Sequence, residues 1–285
     1  MSGAPPAGES EGEGDSVAAV AAEALRSRRY RWVAPELVER LAAEALIGSR
    51  RPADAVKRLK RRLHQICGAY VWEVRPDAVL AELRAAQARG GPEGLRAACR
   101  QALARHASTR ERLPVIEDFY RTIFARTGPP GRVLDLACGL GPLAWPWMGL
   151  PAQTGYVAYD VDRRLVELVD GALTLCGVSH VAALRDVVGR PPDEPADVAL
   201  LLKAVPCLEQ QDPVGARRLL GALQARRLVV SFPTRSLGGA DRGMRSHYRS
   251  RLDALVAGTP WAPAGPSAPE RIDFPLETVY LLGRG

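Results

Sequence analysis

The chain has 285 residues, 47% of them hydrophobic, and a net charge of +7, enough for one large domain or a domain with a smaller companion. Five scattered cysteines without a Cys-x-x-Cys pair, and four dispersed histidines, argue against a disulfide framework or a zinc site and for a reducing cytoplasm. No apolar run approaches the ~18 residues of a membrane span, and the N-terminus lacks the apolar core of a signal peptide.

Residues 1–15 are small, acidic and Gly/Pro-bearing, which predicts a disordered tail. Helical periodicity starts near Ser16, with a first helix over Val17–Arg28 and a second over Glu36–Ile47 with Pro35 in its first turn. A third helix is expected from Arg51-Pro52 to about Tyr70. Its apolar stripe is Val56, Leu59, Leu63 and Ile66; its other face is Lys57, Arg58, Lys60, Arg61 and Arg62. Residues 26–75, with Arg50 and Arg51 among them, hold thirteen basic residues against five acidic ones. This window exceeds the net charge of the whole chain, the footprint of a polyanion-binding surface. Two more helices, Pro76–Arg89 and Glu93–His106, are separated by Gly90-Gly91-Pro92. The expectation is an all-helical basic domain over residues 16–106.

Residues 107–128 lead into a regular strand–helix alternation. Strands are expected at 132–137, 155–160, 181–185, 197–203 and 226–232, with helices near 142–149, 162–176 and 212–224. A helix near 241–257, a Pro-rich loop over 259–269 and a last antiparallel strand over 274–283 complete a doubly wound sheet domain, 107–285.

The stretch Arg132-Val-Leu-Asp-Leu-Ala-Cys-Gly-Leu-Gly141 is a strand running into a glycine turn. Such a turn at a strand's carboxyl end is where open α/β sheets bind nucleotide-like ligands. Its Asp135-x-Ala137-x-Gly139-x-Gly141 spacing suits S-adenosylmethionine better than a dinucleotide, which calls for Gly-x-Gly-x-x-Gly. Asp160 ends the second strand, where a carboxylate accepts both ribose hydroxyls. Asp186 and Val187 follow the third, where a carboxylate and a backbone NH suit an adenine edge. Carboxylates at strand ends also cap helices, so the three together carry more weight than any one.

Four motifs add to this: His106-x-Ser-Thr-Arg-Glu-Arg112, Leu134-Asp-Leu-Ala-Cys-Gly-Leu140, Lys203-x-x-Pro-x-Leu-Glu-Gln210 and Ser231-Phe-Pro-Thr-Arg-Ser-Leu237. In combination the chain from about residue 16 resembles the aminoglycoside-resistance 16S rRNA methyltransferases, which methylate N7 of guanine 1405. The resemblance implies a Rossmann-like class I S-adenosylmethionine-dependent sheet with an N-terminal helical domain docking on the assembled 30S subunit. It implies Arg110 on the methionine carboxylate, and Lys203, Glu209 and Gln210 lining the target pocket or the methionine end. Ser231 and Arg235 would contact the flipped base or a nearby phosphate. A monomer needing no metal is expected. Gly141 departs from the family pattern, where Asn is expected in many relatives.

Two rival readings stay open in the sequence. Cys207 follows the fourth strand, roughly where cytosine-C5 methyltransferases keep a nucleophilic thiolate. The N1 of a neighbouring decoding-site adenine is the other candidate target.

Overall fold

The computed structural model describes residues 9–67, 75–234, 244–262 and 268–284. Its contacts divide the chain into two compact units: Met1–Val71 with Val161–Arg163, and Trp72–Asp160 with Arg164–Gly285.

The first unit is built on α1 (Glu9–Leu25), α2 (Pro35–Ile47) and α3 (Pro52–Cys67). The helix reaches back to Glu9, into the stretch expected to be disordered. The Ala-rich segment up to Leu25 forms the helix, and elongating a formed helix costs far less than nucleating one. Leu37, Val38 and Leu41 of α2 are buried, as are Ala55, Leu59, Leu63 and Ile66 of α3. Val56 is only half-buried, so the α3 stripe begins one residue earlier than its pattern suggests.

The second unit opens with α4 (Pro76–Ala104), α5 (Ala107–Arg110), a 3-10 turn (Leu113–Val115) and α6 (Ile116–Thr127). Inside α4, Gly91 is non-helical (φ 55°, ψ −145°) and Pro92 follows, so the expected break occurs there. The division between units falls at Val71, not at residue 106. The physical reason is burial: Val79, Leu83, Leu95, Cys99 and Leu103 of α4 share one core with Val133 and Tyr156 of the sheet. That apolar stripe belongs to the sheet unit.

The sheet comprises β1 (Arg132–Leu136), β2 (Gly155–Asp160), β3 (His180–Leu184), β4 (Ala196–Leu202), β5 (Ala225–Pro233), β6 (Glu270–Phe274) and β7 (Glu277–Gly283). Its order is β3-β2-β1-β4-β5-β7-β6. β1 pairs in parallel with β2 and β4, and β7 lies antiparallel between β5 and β6. The strand order reverses between β1 and β4, and the crevice outside their carboxyl ends is where such sheets take ligands.

Three local expectations are revised. The helix expected at 142–149 is a 3-10 turn, Gly141–Ala144, and a single α-turn, α7 (Trp145–Met148), ended by left-handed Gly149. The single C-terminal strand is a hairpin, because Pro275 and Leu276 turn the chain between β6 and β7. Charged Glu270, Arg271 and Asp273 disguised β6, as suits an edge strand that must discourage further pairing. A further helix, α9 (Val205–Gln211), precedes α10 (Pro213–Ala222).

Both faces of the sheet are covered. One core gathers Phe119, Ile123 and Leu168 from α6 and α8 (Arg163–Leu175). The other gathers Leu208, Leu219 and Leu252 from α9, α10 and α11 (Met244–Val256). Each fully buried Leu of this kind is worth roughly 1.5–3 kcal/mol.

Candidate functional site

The glycine turn is shaped by backbone conformation. Ala137 (φ 51°) and Gly139 (φ 53°) are left-handed. A left-handed alanine costs about 1–2 kcal/mol and persists only where its surroundings hold it. Here the Cys138 NH donates to the Tyr159 carbonyl (3.0 Å) and the Gly141 NH to the Cys138 carbonyl (2.9 Å). The Gly139 NH donates to Asp160 Oδ2 at 2.9 Å, so the end of β2 fixes the turn at the end of β1. A Cβ on Gly141 would lie 3.3 Å from Asp135 Oδ2, so any side chain there crowds that carboxylate.

Asp135 is 2% exposed and accepts a hydrogen bond from the Tyr156 hydroxyl at 2.7 Å. Burial pushes its pKa up to about 7; Tyr156 and the Arg112 charge oppose this, and Asp160 adds to it. Asp186 and Val187 are buried beyond β3, and one Asp186 oxygen accepts the Val188 NH at 3.2 Å. Acidic side chains therefore stand buried at three neighbouring strand ends around one backbone turn. This set fits S-adenosylmethionine: a carboxylate for a vicinal diol, a polar edge for adenine, and negative charge for an ammonium group.

The sequence reading missed an ionic network beside the turn. Arg112, not Arg110, is the buried arginine. Its Nε and Nη2 donate to Glu277 Oε2 and Oε1 at 3.1 and 2.6 Å, and Nη1 donates to the Tyr120 hydroxyl at 3.3 Å. Burial works against its charge, but Glu277 and Tyr120 outweigh that and hold its pKa above the ordinary value. Glu277 is held low by Arg112 and Lys203 although its own burial pushes the other way. Arg110 is exposed, at the end of α5, and no described residue hydrogen-bonds or ion-pairs its guanidinium. It does lie close enough to His106 to act on it. Burial, Lys203 and Arg110, in that order, lower the His106 pKa.

Lys203 directly follows β4, in the left-handed region (φ 59°). Its NH donates to the Ser231 carbonyl (3.1 Å) and hydroxyl (3.0 Å). Its Nζ donates to Glu111 Oε2 (2.6 Å) and the Ser108 carbonyl (3.1 Å), and lies 3.5 Å from Glu277 Oε2. Ser231 is fully buried and donates to Glu277 Oε1 at 2.5 Å. It therefore orders Lys203 and Glu277 in this structure.

Two other expected site residues point elsewhere. Glu209 on α9 is ion-paired with Arg251 on α11, and Gln210 is exposed while its neighbour Gln211 is buried. A seven-residue helix turns by 100° per residue, so adjacent side chains face different surroundings. Arg235 lies outside the described residues. Cys207 sits half-buried in the first turns of α9. Glu277 carried no motif in sequence; its only hint was a lone acid opening an apolar strand.

The sequence profile of the Ribosomal RNA methyltransferase (FmrO) family matches residues 26–264. The chain belongs to that family. Among its relatives, a 16S rRNA (guanine(1405)-N(7))-methyltransferase of Micromonospora echinospora is 47% identical over 80% of this chain and 85% of its own. One from Frankia casuarinae is 46% identical over 99% of this chain and 98% of its own. Among solved structures, the 16S rRNA methyltransferase RmtF in complex with S-adenosyl-L-homocysteine has a TM-score of 0.79 at 35% identity, covering 95% of this chain and 99% of that one. The 16S rRNA methylase RmtB has a TM-score of 0.74 at 30% identity, covering 94% and 98%. Membership in the family makes the chain an S-adenosylmethionine-dependent ribosomal RNA methyltransferase.

On the first unit the basic side chains divide by their partners. Arg51 pairs with Asp54, Lys60 lies 4.0 Å from Glu23, and the Arg58 guanidinium donates to the Gly48 carbonyl at the end of α2. Arg50, Lys57 and Arg61 are exposed, and no described residue pairs with them. Among the described residues no helix is long and apolar enough to cross a membrane, and no cluster of His, Cys, Asp and Glu could hold a metal ion.

Proposed function

We propose that this protein methylates N7 of guanine 1405 in 16S rRNA, on the assembled 30S subunit in the cytoplasm, using S-adenosylmethionine. The observation that carries this reading is the set of buried carboxylates, Asp135, Asp160 and Asp186, around the glycine turn of a near-full-length relative of such enzymes.

When bound, S-adenosylmethionine supplies a methyl group on a sulfonium. Asp160 would hold the ribose while ordering Gly139, and Asp186 with the Val187 NH would take the adenine. Asp135 would face the methionine ammonium. Exposed Arg110, whose guanidinium no described residue engages, would take the methionine carboxylate, while Arg112 stays paired with Glu277. Guanine N7 carries an in-plane lone pair and no proton, so the protein needs no general base. Its work is alignment and electrostatics in a water-poor crevice. An ammonium such as Lys203 matches the O6 acceptor of guanine, a contact that favours this base over adenine. Methylation makes the ring cationic, which Glu111 beside Lys203 would tolerate better than a neutral surrounding. The target must leave its stack to reach the crevice.

Arg50, Lys57 and Arg61 are the strongest docking contacts for rRNA phosphates, because no carboxylate among the described residues competes for them. Arg51, Arg58, Lys60 and Arg62 support the same face. Added bulk and charge on guanine 1405 would exclude 4,6-disubstituted 2-deoxystreptamine aminoglycosides, giving resistance. The deciding experiment maps modified bases in 16S rRNA from cells producing the protein or its Asp160→Ala variant, by primer extension and mass spectrometry. N7-methylguanine at position 1405, lost with Asp160→Ala, is expected. A methyl group on a decoding-site adenine or a cytosine C5 instead would overturn the assignment.

A further inference from the structure

Beyond β3, one side chain outside the crevice residues holds the loop that would cover the adenine. Arg185 is the first residue after that strand, and only 18% of its side chain is exposed. Its backbone NH donates to the Asp160 carbonyl at 3.0 Å. Its guanidinium then closes a ring over the following residues. Nε donates to the Arg190 carbonyl (3.0 Å), Nη2 to the Pro191 carbonyl (2.9 Å) and Nη1 to the Tyr159 hydroxyl (3.4 Å). It also lies 3.5 Å from Glu194 Oε1 and 5.0 Å from the Tyr159 ring centroid. Glu194 itself accepts a hydrogen bond from the Tyr159 hydroxyl.

The segment enclosed by these contacts contains Asp186 and Val187. It has no helix or strand of its own, so its shape depends on side-chain and loop hydrogen bonds. Inside the ring, the Arg190 NH donates to the Asp186 carbonyl at 2.8 Å, and Arg218 Nη2 donates to the Val188 carbonyl at 3.2 Å. Tyr159 and Asp160 are adjacent on β2. Arg185 therefore bonds both to the strand end expected to hold the ribose and to the loop expected to hold the base.

We propose that Arg185 is a positioning residue for the cofactor's adenosine end. It keeps residues 186–191 in the shape that offers Asp186 and the Val187 NH to the purine, and locks that loop to the end of β2. The inference rests on the reading of Asp186 and Val187 as adenine contacts. A planar fork with several fixed donors can serve two carbonyls, a hydroxyl and a carboxylate at once; a lysine ammonium cannot. Without the fork, more of the loop's ordering would fall to the incoming ligand, and that ordering is subtracted from affinity.

The test uses full-length Arg185→Ala, Arg185→Lys and Asp186→Ala. S-adenosylhomocysteine affinity is measured by calorimetry, adenosine affinity by competition, and kcat and KM for S-adenosylmethionine on 30S subunits. Arg185→Ala should weaken S-adenosylhomocysteine and adenosine by the same factor, about tenfold or more, as expected for losing charge-assisted hydrogen bonds. KM for S-adenosylmethionine should rise equally while kcat stays within about twofold. Arg185→Lys should keep most of the defect. If Asp186→Ala weakens adenosine but Arg185→Ala does not, the positioning role is wrong and the adenine reading stands. If neither weakens adenosine, both fall. A loss of kcat in step with affinity, or full rescue by lysine, would also overturn the proposal.

Discussion

Replacing Glu277 with alanine should be the most damaging single change beside the crevice. Glu277 is 3% exposed and faces two cations: Arg112, through two hydrogen bonds, and Lys203 Nζ at 3.5 Å. Truncation leaves the Arg112 guanidinium, itself 4% exposed, with the Tyr120 hydroxyl and the Phe119 ring but no hydrogen-bonded carboxylate among the described residues. Removing one partner of a buried pair costs about 3–5 kcal/mol, because the remaining charge keeps its desolvation penalty. At the roughly 2–4 °C per kcal/mol typical of large domains, the melting temperature should fall on the order of 10 °C. Thermal and urea unfolding of Glu277→Ala and Glu277→Gln would measure it. The glutamine should lose less, since it keeps the shape and can still hydrogen-bond Ser231. The double change Arg112→Met with Glu277→Leu should recover much of the stability while removing that ion pair. A melting temperature within 2 °C of the native protein for Glu277→Ala would refute the network as described.

Other outcomes follow from the same geometry. Asp135 has a folded pKa near 7, raised above its unfolded value of 3.8. The folded state therefore holds its proton longer, so this group's contribution to stability falls as pH rises from about 4 to 7. Asp135→Asn should grow more stable relative to the native protein across that window in urea titrations, and a constant difference would contradict it. Reversing Arg50, Lys57 and Arg61 to glutamate should weaken 30S binding and flatten its salt dependence, by a slope of roughly 0.7–0.9 per lost phosphate contact. Calorimetry with S-adenosylhomocysteine should be unchanged, and unaltered 30S affinity would remove this face from docking. Cys207→Ala should keep full methylation, measured by methyl incorporation into 30S subunits; complete loss would revive a thiolate mechanism.

The sheet was legible because its signal is local. Buried parallel strands are short apolar runs, and β1, β2, β4 and β5 begin and end within one residue of their expected limits. The positions of Asp135, Asp160 and Asp186 were legible for the same reason, each lying at or just past the end of such a run. The hairpin of β6 and β7 was not. An edge strand exposes half its residues, and charged Glu270, Arg271 and Asp273 resemble a loop.

The sequence by itself determined the chemistry: a strand–turn–strand set of acids for one methyl donor, and a basic face for a polyanion. Those depend on residue type and short spacing. Only the tertiary structure decided which neighbours are buried and which charges meet. Arg110 and Arg112 are two residues apart, and Gln210 and Gln211 are adjacent, yet one of each pair is exposed and the other buried. Glu277 meets Arg112, 165 positions away, because β7 inserts antiparallel beside β5. A buried charge must find its counter-charge wherever the fold delivers one, and no local pattern records that distance.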